Sequence, residues 1–143
     1  MHVAIKQAII ARDMHEIPVG AVLVDNNGEI VAKSGNLTVQ DNDPTAHAEI
    51  NVIRARCREL RTQRIPDHDL YVTLEPCPMC AAAISNARIR RVYFGAYDPK
   101  SGGVDHGARV FSHPQCHHKP EVTGGLMEKE CSELLKGFFG EKR

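Results

Sequence analysis

The chain has 143 residues and 42% hydrophobic content, which fits one domain over residues 1–143 with one proper core. Acidic and basic residues balance at 18 each, so bulk charge argues for neither nucleic acid nor membrane. No stretch of about 20 apolar residues is present, which excludes a spanning helix.

The start, Met1 to Lys6, lacks the pattern of a signal peptide. Residues 2–14 place Val3, Ala4, Ile5, Ala8, Ile9 and Ala11 at roughly helical spacing, predicting a helix that ends before Pro18. Residues 19–24 are an apolar run, 25–28 a turn and 29–33 a return strand, together a hairpin. Residues 34–43 are polar and predict a loop. A helix is expected from about Thr45 to Thr62, burying Ile50, Val52, Ile53 and Leu60. Its arginines, Arg54, Arg56, Arg58, Arg61 and nearby Arg64, read as a solvated face.

A turn at 66–68 leads into a strand at 69–73, a helix from Pro78 to Asn86 and a strand at 90–95. Residues 96–119 are irregular, 121–123 form a short strand, and 125–139 form the last helix. The strand–helix–strand alternation predicts an α/β fold: a three-layer α/β/α sandwich around a central mixed sheet of about five strands.

Two motifs carry the chemistry. His47-Ala48-Glu49 precedes Pro76-Cys77-Pro78-Met79-Cys80. Cys77 and Cys80 can grip one metal from a single turn, and His47 adds a third ligand. Three protein ligands leave tetrahedral zinc with an open position, as catalytic sites require. Glu49 is two residues from His47, so on a helix the two do not share a face. Glu49 is therefore a proton carrier rather than a fourth ligand. Pro78 suits the first position of a helix, which puts both thiols near a positive dipole end that favours thiolates. Alone, Cys-x-x-Cys is equally a redox pair or half a zinc finger. The joint pattern is the signature of zinc nucleobase deaminases. Of the other cysteines, Cys57, Cys116 and Cys131 show no disulfide framework, which suits a reducing cytoplasm. Cys116-His117-His118 lacks sequence partners for a second metal site.

With these residues placed, nearly the whole chain resembles the bacterial tRNA-specific adenosine deaminases of the cytidine deaminase-like superfamily. The resemblance lies in residues 16–21, 43–50, 70–80 and 94–100, and most narrowly in Pro44-Thr45-Ala46-His47-Ala48-Glu49 and Phe94-Gly95-Ala96-Tyr97-Asp98-Pro99-Lys100. It implies one Zn2+ per subunit on His47, Cys77 and Cys80, with Glu49 shuttling protons. It implies attack on C6 of adenine, loss of ammonia and formation of inosine at the wobble position of tRNA. It further implies that Asn36 hydrogen-bonds the target nucleotide, Ile17 lines the base pocket, and Asp98 and Lys100 lie near the RNA backbone. By their residue types alone, Asn36 is a loop cap, Ile17 a core residue and Asp98-Pro99 a turn. Phe138 and Phe139 match an aromatic pair whose default role is core packing.

The resemblance also implies a cytoplasmic homodimer with an anticodon stem-loop laid across both subunits. Arg88, Arg90, Arg91, Lys142 and Arg143 are candidate phosphate contacts, or equally solvated charge. Ala82 stands where the family commonly has glycine, and residues 102–109 depart from its Gly-Ala-Gly-Ser type. That departure leaves open a deaminase of a free base or nucleoside, such as guanine or cytidine. An inactive zinc-stabilised RNA-binding subunit is a further alternative, against which Glu49 argues.

Overall fold

The computed structural model describes residues 1–141; Lys142 and Arg143, named above as candidate phosphate contacts, lie outside them. Apolar runs become strands where both faces are covered. Gly20–Val24 (β1), Ile30–Gly35 (β2), Asp69–Leu74 (β3), Arg91–Ala96 (β4) and Glu121–Thr123 (β5) form one sheet in the order β2-β1-β3-β4-β5. β1 runs antiparallel to β2 and to β3. β3, β4 and β5 are parallel to one another. The expected mixed sheet is therefore present, with the parallel pair β3–β4 joined through a helix.

Four helices cover the sheet: His2–Asp13 (α1), Ala48–Leu60 (α2), Pro78–Asn86 (α3) and Glu128–Glu141 (α4). α1 and α4 touch each other, and α2 packs against α3. One core joins Leu23, Leu70, Val72, Ile84, Val92 and Phe94 beneath Val52 of α2. Each of these large side chains contributes about 1.5–3 kcal/mol by leaving water.

Glycine sets how closely α1 lies on the sheet. A Cβ on Gly20 would run into the Ala4 carbonyl oxygen and come 2.6 Å from the Ala8 nitrogen. α1 answers with Ala4, Ala8 and Ala11, all fully buried. At the other helix of this layer, a Cβ on Gly95 would strike the Cys131 side chain of α4.

Three boundaries and one core position differ from the sequence expectation. α2 begins at Ala48 rather than near Thr45, because Asp43 captures the Thr45 N–H at 2.8 Å and its hydroxyl at 2.6 Å, a local turn that competes with helix. Leu60 is 44% exposed, and Ile65, 1% exposed, fills the core in its place. β2 extends through Ser34 and Gly35, which pair with Ala21 and Gly20. α4 starts at Glu128, since the Leu126 N–H is drawn to the Phe94 carbonyl at 3.0 Å and Met127 adopts φ 54°.

Gly20→Ala should lower the unfolding free energy by about 2–3 kcal/mol through overpacking. Gly28→Ala, at φ +79° in open space, should cost only about 1 kcal/mol of backbone strain. Urea denaturation of both variants checks the ordering. Equal losses would show that close approach of α1 is not what Gly20 provides.

Candidate metal centre and substrate pocket

The centre is built at two helix N-termini. His47 is the N-cap of α2 and Cys77 the N-cap of α3, both with extended backbone, and Pro78 occupies the start of α3 as its missing N–H allows. Cys80 follows in the first turn of α3. Asn51 anchors α2 by donating to the Ser34 hydroxyl and to the Gly35 and Ala46 carbonyls at 3.1–3.2 Å.

His47 Nδ1 lies 3.6 Å from Cys77 Sγ and 3.5 Å from Cys80 Sγ. Tetrahedral zinc with Zn–S of about 2.3 Å and Zn–N of about 2.0 Å separates its donors by about 3.5 Å. The three side chains thus stand at ligand spacing, and their soft sulfur and imidazole donors fit zinc. Among the described residues no other cluster of His, Cys, Asp and Glu meets in this way. The thiols polarise each other. A hydrogen bond from Cys80 and another from His47 bring Cys77 down to about 4, against the opposing effect of burial. Cys80, the donor and itself buried, is pushed up. The bond to Cys77 raises His47. A thiolate beside an imidazole is the charge pattern that a dication neutralises.

Glu49 lies in the first turn of α2, 4% exposed, and stands outside the donor cluster. Burial raises its pKa, with the charge of Cys77 adding to the rise.

A cavity of 830 Å³ opens over the centre. All the site residues expected from sequence meet there: His47, Glu49, Cys77, Asn36, Ile17, Asp98 and Lys100 line it, and Cys80 lies beneath, fully buried. Asn36 is 6% exposed and donates to Thr38 Oγ1 at 3.2 Å. Ile17 is 42% exposed at the cavity wall, which corrects its reading as a core residue. The aromatic pair divides: Phe138 is buried, while Phe139 reaches the cavity at 49% exposure.

Two buried carboxylates hold the walls. Glu16, fully buried, accepts the Val39 N–H at 2.7 Å and so ties down the loop carrying Asn36 and Thr38. Glu75 accepts N–H groups from Asp98, Val104, Asp105 and His106 at 3.0–3.2 Å, and the His106 ring nitrogen stands 2.8 Å away. Burial pushes Glu75 up, but these donors outweigh it and its pKa is lowered overall. The departing segment 102–109 is therefore wrapped around a carboxylate. A Cβ on Gly102 would run into that carboxylate, which gives the glycine a packing reason.

Sequence reading missed Glu75, Thr38, Tyr97 and Leu135. Their roles come from long-range contacts that no local spacing announces. A carboxylate directly before Pro76-Cys77 was the one available signal for Glu75.

The arginine candidates sit elsewhere, at the N-terminal ends of β3 and β4. Arg90 makes two 3.0 Å bonds to Asp69, and Arg91 pairs with Glu121 at 3.1 Å. Arg88 donates to the Ser85 carbonyl. Cys116 and His118 clip their loop to α3 through Ser85 and the Ile89 carbonyl.

The sheet, the paired helix N-termini and the three-donor centre beside a buried glutamate define a zinc-dependent deaminase domain. Residues 1–96 match the family described as the cytidine and deoxycytidylate deaminase zinc-binding region. The chain is 57% identical over 143 residues to a tRNA-specific adenosine deaminase of Agrobacterium fabrum, covering 100% of this chain and 93% of that one. It is 45% identical over 144 residues to a tRNA-specific adenosine deaminase of Rickettsia bellii, covering 100% and 99%. A solved structure from a study of A-to-I editing by tRNA:A34 deaminases at the wobble position of transfer RNA superposes with a TM-score of 0.92, at 57% identity and covering 94% of this chain and 97% of that one. This chain belongs to the tRNA-specific adenosine deaminase family, within the zinc-binding cytidine deaminase class, and its metal is zinc.

His47→Ala and Cys80→Ala should each reduce zinc from about one ion per chain to below about a tenth, measured by metal analysis of purified protein. Full retention in either variant would remove that residue from the donor set. Glu75→Gln should keep zinc yet lower stability by about 2–4 kcal/mol, because an amide NH2 then faces N–H donors. Hydrogen exchange should show faster exchange at residues 98 and 104–106. Unchanged protection there would mean the loop is held by something else.

Proposed function

We propose that this chain hydrolyses adenosine to inosine at the wobble position of tRNA, with residues 1–143 working as one unit. The observation that carries this reading is the 57% identity, over the full length of this chain, to a tRNA-specific adenosine deaminase. The finer features are part of the same proposal: a cytoplasmic homodimer that takes the anticodon stem-loop across its two subunits.

His47, Cys77 and Cys80 would hold the zinc. Bound zinc supplies a Lewis acid that lowers the pKa of water to about 7. The remaining chemistry belongs to the side chains. The oxygen of water adds to C6 of the base, the C6–N6 bond breaks, and ammonia leaves. Glu49 takes one proton from the attacking water and gives it to the ring nitrogen N1, then takes the second from the new C6 hydroxyl and gives it to the departing N6, so that C6 is left as a carbonyl. Its burial suits this role, because a raised pKa lets one carboxyl group both accept and give a proton near neutrality. Asn36, 6% exposed and fixed through Thr38, presents its amide to the nucleotide. Ile17, on the cavity wall, borders the base. Asp98 and Lys100 meet the backbone, with Asp98 shaped by its bond to the Ser101 N–H.

The test offers an anticodon stem-loop containing a wobble adenosine, and free adenosine, guanine and cytidine, to the zinc-loaded protein. Inosine should appear in the stem-loop alone. Ammonia from a free base with an untouched stem-loop would move the function to a free-base deaminase. Glu49→Ala should retain zinc and lose about 100- to 10,000-fold in turnover. Activity within a few-fold of the parent would end its assignment as proton carrier.

A further inference from the structure

Tyr97 sits between the buried end of β4 and the Asp98–Lys100 turn. Its neighbours Phe94 and Ala96 are 0% and 2% exposed, yet Tyr97 is 38% exposed on the cavity wall. Two other rings brace it at near right angles. Phe94 stands across it in a T-shaped pair, with centroids 5.1 Å apart and planes at 88°. His106 does the same at 6.0 Å and 78°. The Gly124–Gly125 backbone closes the remaining side: a Cβ on Gly124 would come 2.9 Å from the Tyr97 hydroxyl. His106 is itself held 2.8 Å from Glu75, so the ring's support runs back to the carboxylate that organises the loop.

The Tyr97 hydroxyl finds no hydrogen-bond partner among the described residues. A phenol ring 38% exposed on a cavity wall offers aromatic surface that a flat ligand can cover. Lys100 lines the same wall, exposed, and no carboxylate among the described residues pairs with it. A rigid π surface beside an unpaired cation matches a nucleotide, whose base offers a flat face and whose phosphate offers charge. The centre already claims the target base at the floor of the cavity, near Glu49 and Asn36. Tyr97 stands at the wall, where the next nucleotide of a strand would pass.

The geometry points to Tyr97 as a stacking platform for a nucleotide flanking the target adenosine, with Lys100 facing its phosphate. This rests on the proposal that the substrate is an RNA loop, and it adds a reader beyond the target base. It also gives the departing segment 102–109 a role: His106 buttresses the ring.

The experiment compares full-length zinc-loaded parent, Tyr97→Ala and Tyr97→Phe on the stem-loop, and on stem-loops abasic at the position 5′ or 3′ of the target. Tyr97→Ala should lower kcat/KM on the intact loop by about fivefold to a hundredfold, the range that one base–aromatic stack supports. Tyr97→Phe should stay within about twofold, because the π face remains. Removing the stacked base should cost the parent the same factor and cost Tyr97→Ala nothing further. Should Tyr97→Ala lose zinc or melt early, Tyr97→Leu, which fills the space without a π face, takes its place. Inosine formation by the parent with an unchanged rate in Tyr97→Ala overturns this inference alone. So does an equal loss in Tyr97→Phe, or losses that multiply with both abasic sites. No inosine from the parent in any stem-loop overturns the RNA reading and this inference with it.

Discussion

A single buried carboxylate ties the chemistry to the walls around it. Glu75 comes one residue after β3 ends and two before Cys77, so its backbone belongs to the metal end of the sheet. Its side chain, 2% exposed, gathers a loop that begins 23 residues later. Leaving such a charge in the interior without partners would cost several kcal/mol. Four backbone N–H groups and an imidazole remove that penalty. The irregular segment in turn gains a fixed point that no helix or strand gives it. The position of Asp98, the turn to Lys100 and the orientation of His106 all follow from one acceptor.

The opposite wall uses the same device. Glu16 fixes the loop beyond β2 through Val39, with Gln40 reaching the Met14 carbonyl. The pocket therefore lies between two loops, each pinned by a carboxylate from a different part of the chain. The centre itself rests on regular structure. Parallel strands β3 and β4 deliver their C-terminal ends to one side, and helices α2 and α3 present their N-termini there. Ligands of open α/β sheets gather at this place because backbone N–H groups and dipoles converge on it. Rigid elements hold the metal donors, and pinned loops hold the other residues that line the cavity.

What could be read from sequence divides along the same line. Strands, helices and the mixed sheet were legible because burial on one or both faces leaves a periodic pattern, as in Val19 to Val24 and Tyr71-Val72-Thr73. The donors were legible because a metal needs particular atoms at particular spacing, and His47, Cys77 and Cys80 announce themselves by type. Glu49 was legible only as the companion of His47. The loop residues were harder. Asn36 and Lys100 reach the pocket, but only a family resemblance pointed to them. Glu16 and Glu75 act through partners between 23 and 31 residues away, so no short window of sequence contains both halves of the interaction, and Tyr97 leans on Phe94 and on His106 of the irregular segment, which carries no periodic pattern. Leu60 and the start of α2 went astray for local reasons. Ile65 competed for the same core space, and Asp43 offered the backbone an alternative to helix.

The end of β4 shows how such a molecule can change. Gly95 is fixed by the approach of α4, while Phe94 and Ala96 belong to the interior. Tyr97 alone in this run projects its side chain into open space. A different residue there would alter what the mouth of the cavity meets, while the seat of α4 at Gly95 and the donors His47, Cys77 and Cys80 lie on other residues. Most positions near the site answer to stability and function together; on the inference drawn above, this one answers to the substrate as well. If Tyr97 stacks on a neighbouring nucleotide as inferred, position 97 is where a lineage, or an engineer, can retune the range of accepted sequences while the zinc donors stay in place.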